Sequence, residues 1–237
     1  MPIRPTDVLG DFHGGKVLDI ATGRGGFVGV LIDGLRDYDA IVGVDISDQG
    51  ADAFAVTYGD TPSVRFEIMD AHSLAFESGS FDTVAVSDSL HHFEDPPAVL
   101  REMQRALRPG GHFIAAEMYR DRQTPAQKMH VELHHWVAAI DRSQGIVHRE
   151  TYRRSELVRL LISLGLEAVQ MIDMAATSED PRDPATIAAH QPIIERQMGR
   201  AAGQPDLERK GEHIRRRLAE VGIHGATELM FVGRKPF

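Results

Sequence analysis

Three aspartates in the first third of the chain stand inside or just after short apolar runs. Asp19 lies in Val17-Leu18-Asp19-Ile20, Asp45 closes Val42-Gly43-Val44-Asp45, and Asp70 follows Ile68-Met69. Behind Asp19 comes Ala21-Thr22-Gly23-Arg24-Gly25-Gly26-Phe27, small residues opening into a helical pattern. A strand, a glycine-rich loop and a helix N-terminus bring backbone amides close to a ligand. Gly23 and Gly25 keep side chains out of the way and permit unusual dihedrals. Asp45, twenty residues after Gly25, stands where an acid can accept both hydroxyls of a ribose. Gly23, Gly25 and Asp45 together indicate an adenosine-containing cofactor, without choosing between a dinucleotide and a sulfonium. Asp19 bears on that choice: it can accept from the amino group of a cationic amino-acid tail, whereas a pyrophosphate would be repelled by it. Asp70, next to Ala71, can accept from the adenine amino group.

Histidines supply the second kind of chemistry. His91 and His92 follow Ser87-Asp88-Ser89-Leu90 at the end of another apolar run. Ligands bind at that edge of an open α/β sheet, and an imidazole titrating near neutrality can take a proton there. Positioning or loop packing is the competing reading. A further group comprises His130, Glu132, His134, His135, Asp141 and His148. On a helix His130 and His134 lie at i and i+4, with Asp141 nearly on the same side. That spacing permits nitrogen and oxygen ligands to a metal or the wall of a substrate pocket. The preferred reading is a solvated or hydrogen-bonded helix edge; no metal is assigned, and His134 is kept as a third catalytic candidate.

The elements that must position these residues are legible from periodicity. Apolar runs at 17–20, 41–44, 64–68, 83–86 and 113–116 alternate with helical patterns at 27–35, 48–58 and 96–107, which reads as a doubly wound parallel sheet. Ser47 is expected to cap the second helix, and Asp95 with Pro96 the third. Thr124-Pro125-Ala126-Gln127 has the form of a capping box, ahead of Met129, Leu133, Trp136, Val137 and Ile140 on one face. Trp136 and this stripe are expected to be core. Ser155 should cap a helix bearing Leu157, Leu160, Leu161 and Leu164, closed by Gly165. A strand is expected at 167–172, helices at 184–200 and 207–221, and a last strand at 227–232. Arg215-Arg216-Arg217 shares its segment with Glu208, Glu212 and Glu220 and reads as a solvated charged face. The expectation is a single domain over residues 1–237, with helical insertions at about 119–150 and 175–222.

Taken in order, these motifs, with Ser80-Phe81-Asp82-Thr83-Val84 and Leu107-Arg108-Pro109-Gly110-Gly111, resemble class I S-adenosylmethionine (SAM)-dependent methyltransferases. The likeness is nearest to the small-molecule group that includes the ubiquinone and menaquinone C-methyltransferases. It covers about residues 15–118 well, and the last helix and strands more loosely. It implies a Rossmann-like seven-stranded sheet, parallel except for an antiparallel last strand, with the insertions as a helical lid. It further implies that Asp19, Ala21, Thr22, Gly23 and Gly25 surround the methionine part and ribose of SAM, and that Asp45 binds ribose hydroxyls. Ile46 would pack on the adenine face, Asp70 and Ala71 would meet the adenine edge, and Ser87 and Leu90 would flank the sulfonium. One departure stands out: Ala21 occupies the place of the family's first glycine.

Composition narrows the partners. A net charge of −9 argues against nucleic acid, whose binding rests on surplus Lys and Arg. No apolar run approaches the ~20 residues of a membrane span, and the N-terminus shows no signal-peptide pattern. Zero cysteines remove thiolate chemistry and agree with a cytoplasmic location. The expected activity is methyl transfer from SAM to a small organic acceptor, with a homodimer as an open option. The alternatives are a non-catalytic SAM-binding or scaffolding protein and an NAD-dependent oxidoreductase.

Overall fold

The structure is a computed structural model that describes residues 5–175 and 180–237. Strands β1 (Lys16–Ile20), β2 (Ala40–Asp45), β3 (Val64–Ile68), β4 (Phe81–Ser87), β5 (Leu107–Met118), β6 (Glu167–Met174) and β7 (Glu228–Arg234) form one sheet in the order β3-β2-β1-β4-β5-β7-β6. Parallel pairing runs from β3 to β5, and β7 is antiparallel to both β5 and β6. Helices α1 (Thr6–Leu9), α2 (Gly26–Gly34), α3 (Ala51–Tyr58), α4 (Pro96–Ala106), α5 (Pro125–Ser143), α6 (Arg154–Ile162), α7 (Pro184–Ala201) and α8 (Pro205–Val221) complete it. This is the doubly wound α/β architecture expected from the sequence.

The central strands are continuous apolar runs because both faces are covered. On one face Leu18, Ile20, Val84 and Phe113 pack with Leu100 and Met103 of α4 and Leu157 and Leu161 of α6. On the other Val17, Ile41, Ala85 and Ile114 meet Val28 and Leu31 of α2 and Phe54 of α3. A separate small core joins the two insertions: Met129, Leu133 and Trp136 of α5 pack on Ile194 of α7 and Ile214 and Leu218 of α8. Trp136 is fully buried there and donates Nε1–H to the Leu207 carbonyl at 2.9 Å. Arg215 and Arg217 are each taken up by acids, Glu195 and Glu132 respectively.

Asp95 and Thr124 cap α4 and α5 as expected; each side chain accepts the amide three residues on, from Ala98 at 3.0 Å and Gln127 at 3.3 Å. Three local expectations are corrected. Ser47 is not an N-cap: its amide donates to Asp45 Oδ1 (3.3 Å), which holds the turn open, and α3 starts after Gly50. Ser155 lies inside α6, whose N-cap is Arg153 with its amide on the Glu156 carboxylate (2.7 Å). The Leu107–Gly111 stretch belongs to β5, because Leu107 pairs with Phe81 ahead of a register shift.

Strand order reverses between β1 and β4. The crevice at their C-terminal ends is the topological switch point where open α/β sheets take ligands, and it puts the loop after Ile20 opposite the loop after Ser87.

Candidate active site

The loop after β1 turns at Ala21, with φ 54°, and at Gly23, with φ 52°. A Cβ built on Gly23 would meet nothing within 4 Å, so the crevice lies open above it. Its amide donates to Asp45 Oδ2 at 3.0 Å, which ties the tips of β1 and β2 together. Gly25, the N-cap of α2, serves packing: a Cβ there would meet the Tyr58 ring at 2.5 Å, and Tyr58 O–H donates to the Gly25 carbonyl at 2.8 Å. Thr22 is buried beneath the loop against Gly43.

Asp19 is 1% exposed, and neither of its carboxylate oxygens has a hydrogen-bond partner among the described residues. Burial pushes its carboxyl up to about 7; the neighbouring Thr22 hydroxyl offsets part of the rise and the Asp45 charge adds to it. An acid buried without a donor costs stability unless something cationic meets it. The methionine ammonium of SAM is such a group, so these residues fit the cofactor the resemblance implies.

Next to the loop lies a pocket of about 550 Å³, whose wall includes Ala21, Asp45, Ile46, Gln49, Met69, Asp70, Ala71, Ser89, His92, Phe93, Ile146 and Val147. Ile46 is 73% exposed on this wall, an apolar surface suited to the face of a flat base. Asp70 Oδ1 accepts from the amide and Nδ1 of His72 (2.9 and 2.8 Å), which holds its carboxyl below the usual range. Ser87 and Leu90 are not on the wall. Leu90 is fully buried in the core, and the Ser87 carbonyl accepts from Ser89 Oγ (2.7 Å); Ser89 faces the pocket instead.

Behind that wall four histidines meet. His91, buried in a short turn (Leu90–His92), places Nδ1 2.5 Å from Glu117 Oε1. His134 of α5 brings Nε2 to 2.9 Å from the Nε2 atoms of both His91 and His148. His148 Nδ1 lies 2.6 Å from Asp141 Oδ2, and Asp141 Oδ1 accepts from Arg200 of α7 at 2.6 Å. His92 packs against His148 with ring centroids 4.0 Å apart and the planes tilted by 38°. Burial, with repulsion from neighbouring rings in two cases, holds His91 down to about 4, His92 to about 3 and His134 to about 2. These rings are neutral near pH 7, poor proton acceptors but free to offer lone pairs.

Of the edge read as solvated or hydrogen-bonded, His134 and Asp141 turn inward into hydrogen-bonded contacts, and His148 joins them from the loop after α5. The rest of that group disperses: His130 Nδ1 accepts from the Ala226 amide, Glu132 pairs with Arg217, and His135 bonds Thr151. Glu117 had escaped notice in the sequence. It is fully buried, accepts the Ser89 and Leu90 amides (3.1 and 2.9 Å), and is pushed up to about 8 by burial. Its signal was an acid interrupting Phe113-Ile114-Ala115-Ala116-Glu117-Met118. The half-buried acids Asp88 and Glu228 lie near it, raised to about 7 and about 8 by desolvation, Asp88 also by the charge of Glu117 and Glu228 also by those of Asp88 and Glu117.

Residues 18–115 match the methyltransferase domain family. These residues form a domain of the class I SAM-dependent methyltransferase family. It is 29% identical over 210 residues to the probable phthiotriol/phenolphthiotriol dimycocerosates methyltransferase 2 of Mycobacterium ulcerans, covering 85% of this chain and 70% of that one. It is 28% identical over 111 residues to the demethylmenaquinone methyltransferase of Lactococcus lactis, covering 46% of this chain and 44% of that enzyme. The matches to other curated relatives span half or less of those relatives' length. Bacillus subtilis YcgJ shares the fold, with a TM-score of 0.61 at 19% identity over 94% of this chain and 92% of YcgJ. No described helix of the chain is long and apolar enough to cross a membrane.

Proposed function

We propose that this methyltransferase binds SAM across the tips of β1, β2 and β3 and transfers its methyl group to a small organic acceptor held between the β4 loop and the insertion helices. The unpartnered, buried Asp19 carboxylate carries this reading: it calls for a cationic donor at the bottom of a crevice whose open side is Gly23. Asp45 would take the ribose hydroxyls, Ile46 the adenine face, and Asp70 with Ala71 the adenine edge. SAM supplies an electrophilic methyl carbon, and an in-line displacement on it depends mainly on alignment.

Alignment is therefore what the other residues contribute. Phe93, Ile146, Val147 and Met69 give the pocket an apolar wall that excludes water and suits an acceptor with an apolar body. The demethylmenaquinone relative is named for such a substrate. His92 is the one titratable imidazole of the histidine group on that wall, and it positions a polar atom of the acceptor. Its depressed basicity makes a lone-pair contact a better role than proton removal. His91 and His134 stand behind it as positioning residues.

The test is incubation of the protein with SAM and fractionated metabolite extract, followed by mass spectrometry. One species gaining a methylene mass, with S-adenosylhomocysteine formed in equal amount, is expected. Tight SAM binding with no product from any fraction would point instead to a non-catalytic SAM-binding protein.

A further inference from the structure

Where His91, His134 and His148 meet, three ring nitrogens make two close contacts, at 2.9 Å each. Asp141 is paired with Arg200, so the His148 Nδ1 hydrogen points at Asp141 and leaves a lone pair on Nε2. His91 Nδ1 and Glu117 Oε1 share a single hydrogen, and with that hydrogen on Nδ1 the His91 Nε2 carries a lone pair. His134 Nε2 lies 2.9 Å from both of those nitrogens and brings at most one hydrogen for two contacts. A cation at the point of convergence would take every lone pair at once.

We propose that His91, His134 and His148, with His92 in the fourth place, bind a divalent transition-metal ion. One nitrogen from each of the four rings lies within 4.8 Å of the others. The ligand set is all imidazole, which suits zinc, cobalt, nickel or copper and not the oxygen-seeking magnesium or calcium. Glu117 and Asp141 are the outer carboxylates that fix ring orientation in such sites. Zinc–nitrogen bonds of roughly 2.0–2.1 Å need nitrogens about 3.3 Å apart in a tetrahedron. The 2.9 Å separations would widen by only a few tenths of an ångström.

The ligands come from the β4 loop, from α5 and from the loop after α5, so the ion would fasten the first insertion to the sheet. His92 is the exposed member and lines the pocket, which sets the ion at the acceptor end.

Protein without an affinity tag, stripped with a chelator, would be titrated with Zn²⁺ by calorimetry and with Co²⁺ by visible absorption. One ion per chain, visible bands of nitrogen-coordinated Co²⁺ and a higher melting temperature are expected, since an ion bound only by the folded state stabilises it. Asp141→Asn should weaken Zn²⁺ by roughly 10–100-fold, and His134→Gln or His148→Gln by more. His92→Gln, at an exposed position, should leave the melting temperature of the stripped protein unchanged and still alter the Co²⁺ spectrum. The proposal is overturned if folded wild-type protein takes up no stoichiometric ion. It is equally overturned if His134→Gln and His148→Gln bind Zn²⁺ as wild type does, which would place the metal on surface histidines. No SAM is present in these titrations, so their outcome is separate from that of the methyl-transfer assay.

Discussion

Ala21 carries its backbone at φ 54°, a left-handed conformation that costs a residue with a Cβ roughly 1–2 kcal/mol. The family's glycine at this position would escape that cost. Ala21→Gly should therefore raise stability by roughly 0.5–1 kcal/mol, after allowing for glycine's extra freedom in the unfolded chain; thermal melting measures it. A lower melting temperature would mean that the Ala21 methyl packs more than it strains. Asp19 sets a pH dependence. Its carboxyl is raised by burial from 3.8 to about 7 in the folded protein, so its contribution favours folding below about 4 and is lost as pH rises through about 7. Asp19→Asn should then raise the melting temperature of the ligand-free protein at pH 8 by at least ~2 °C while weakening SAM binding. In the wild type, a proton competes with the ammonium of SAM below about pH 7. Affinity should fall there by up to about tenfold per pH unit, and flat affinity from pH 5.5 to 8 would refute the role given to Asp19. Asp45→Ala should weaken SAM about tenfold or more by calorimetry, since its carboxylate also holds the Gly23 amide.

Among the elements, those with strong periodicity or explicit caps could be read directly. The apolar strands had only one way to bury both faces, and Asp95 and Thr124 announced their helices through the hydrogen bonds they make. Boundaries set by tertiary contact could not be read. Asp45 drew the Ser47 amide to itself and delayed α3, and a register shift against β4 extended β5 through Pro109. The site divides in the same way. Acids at strand tips were visible because the chain itself places them, whereas the four-histidine meeting joins segments 43 and 14 residues apart, which no local spacing reveals. Glu117 was overlooked because one acid in an apolar strand gives no hint of its partners. The small core between α5, α7 and α8 adds a prediction of its own. A Cβ on Gly211 of α8 would meet the Trp136 ring at 2.5 Å and Met198 Sδ at 2.2 Å. Gly211→Ala should destabilise by roughly 1–3 kcal/mol from overpacking, seen as an earlier or split unfolding transition. An unchanged melt would show that the insertion helices reposition freely.

At the scale of the whole molecule, one geometric fact organises the chemistry: the strand order reverses between β1 and β4, so a crevice opens where their loops diverge. The acids of β1, β2 and β3 serve one side of it. The β4 loop and the insertion helices, tied together by His91, His134 and His148, serve the other. On the proposed reading, cofactor and acceptor take separate walls of one pocket. The most direct test is calorimetric titration of S-adenosylhomocysteine and of NAD into the same purified protein. Binding of one S-adenosylhomocysteine per chain, lost in Asp45→Ala, with no heat from NAD, is the predicted result. Binding of NAD in its place, or a folded protein that takes up neither, would contradict the account.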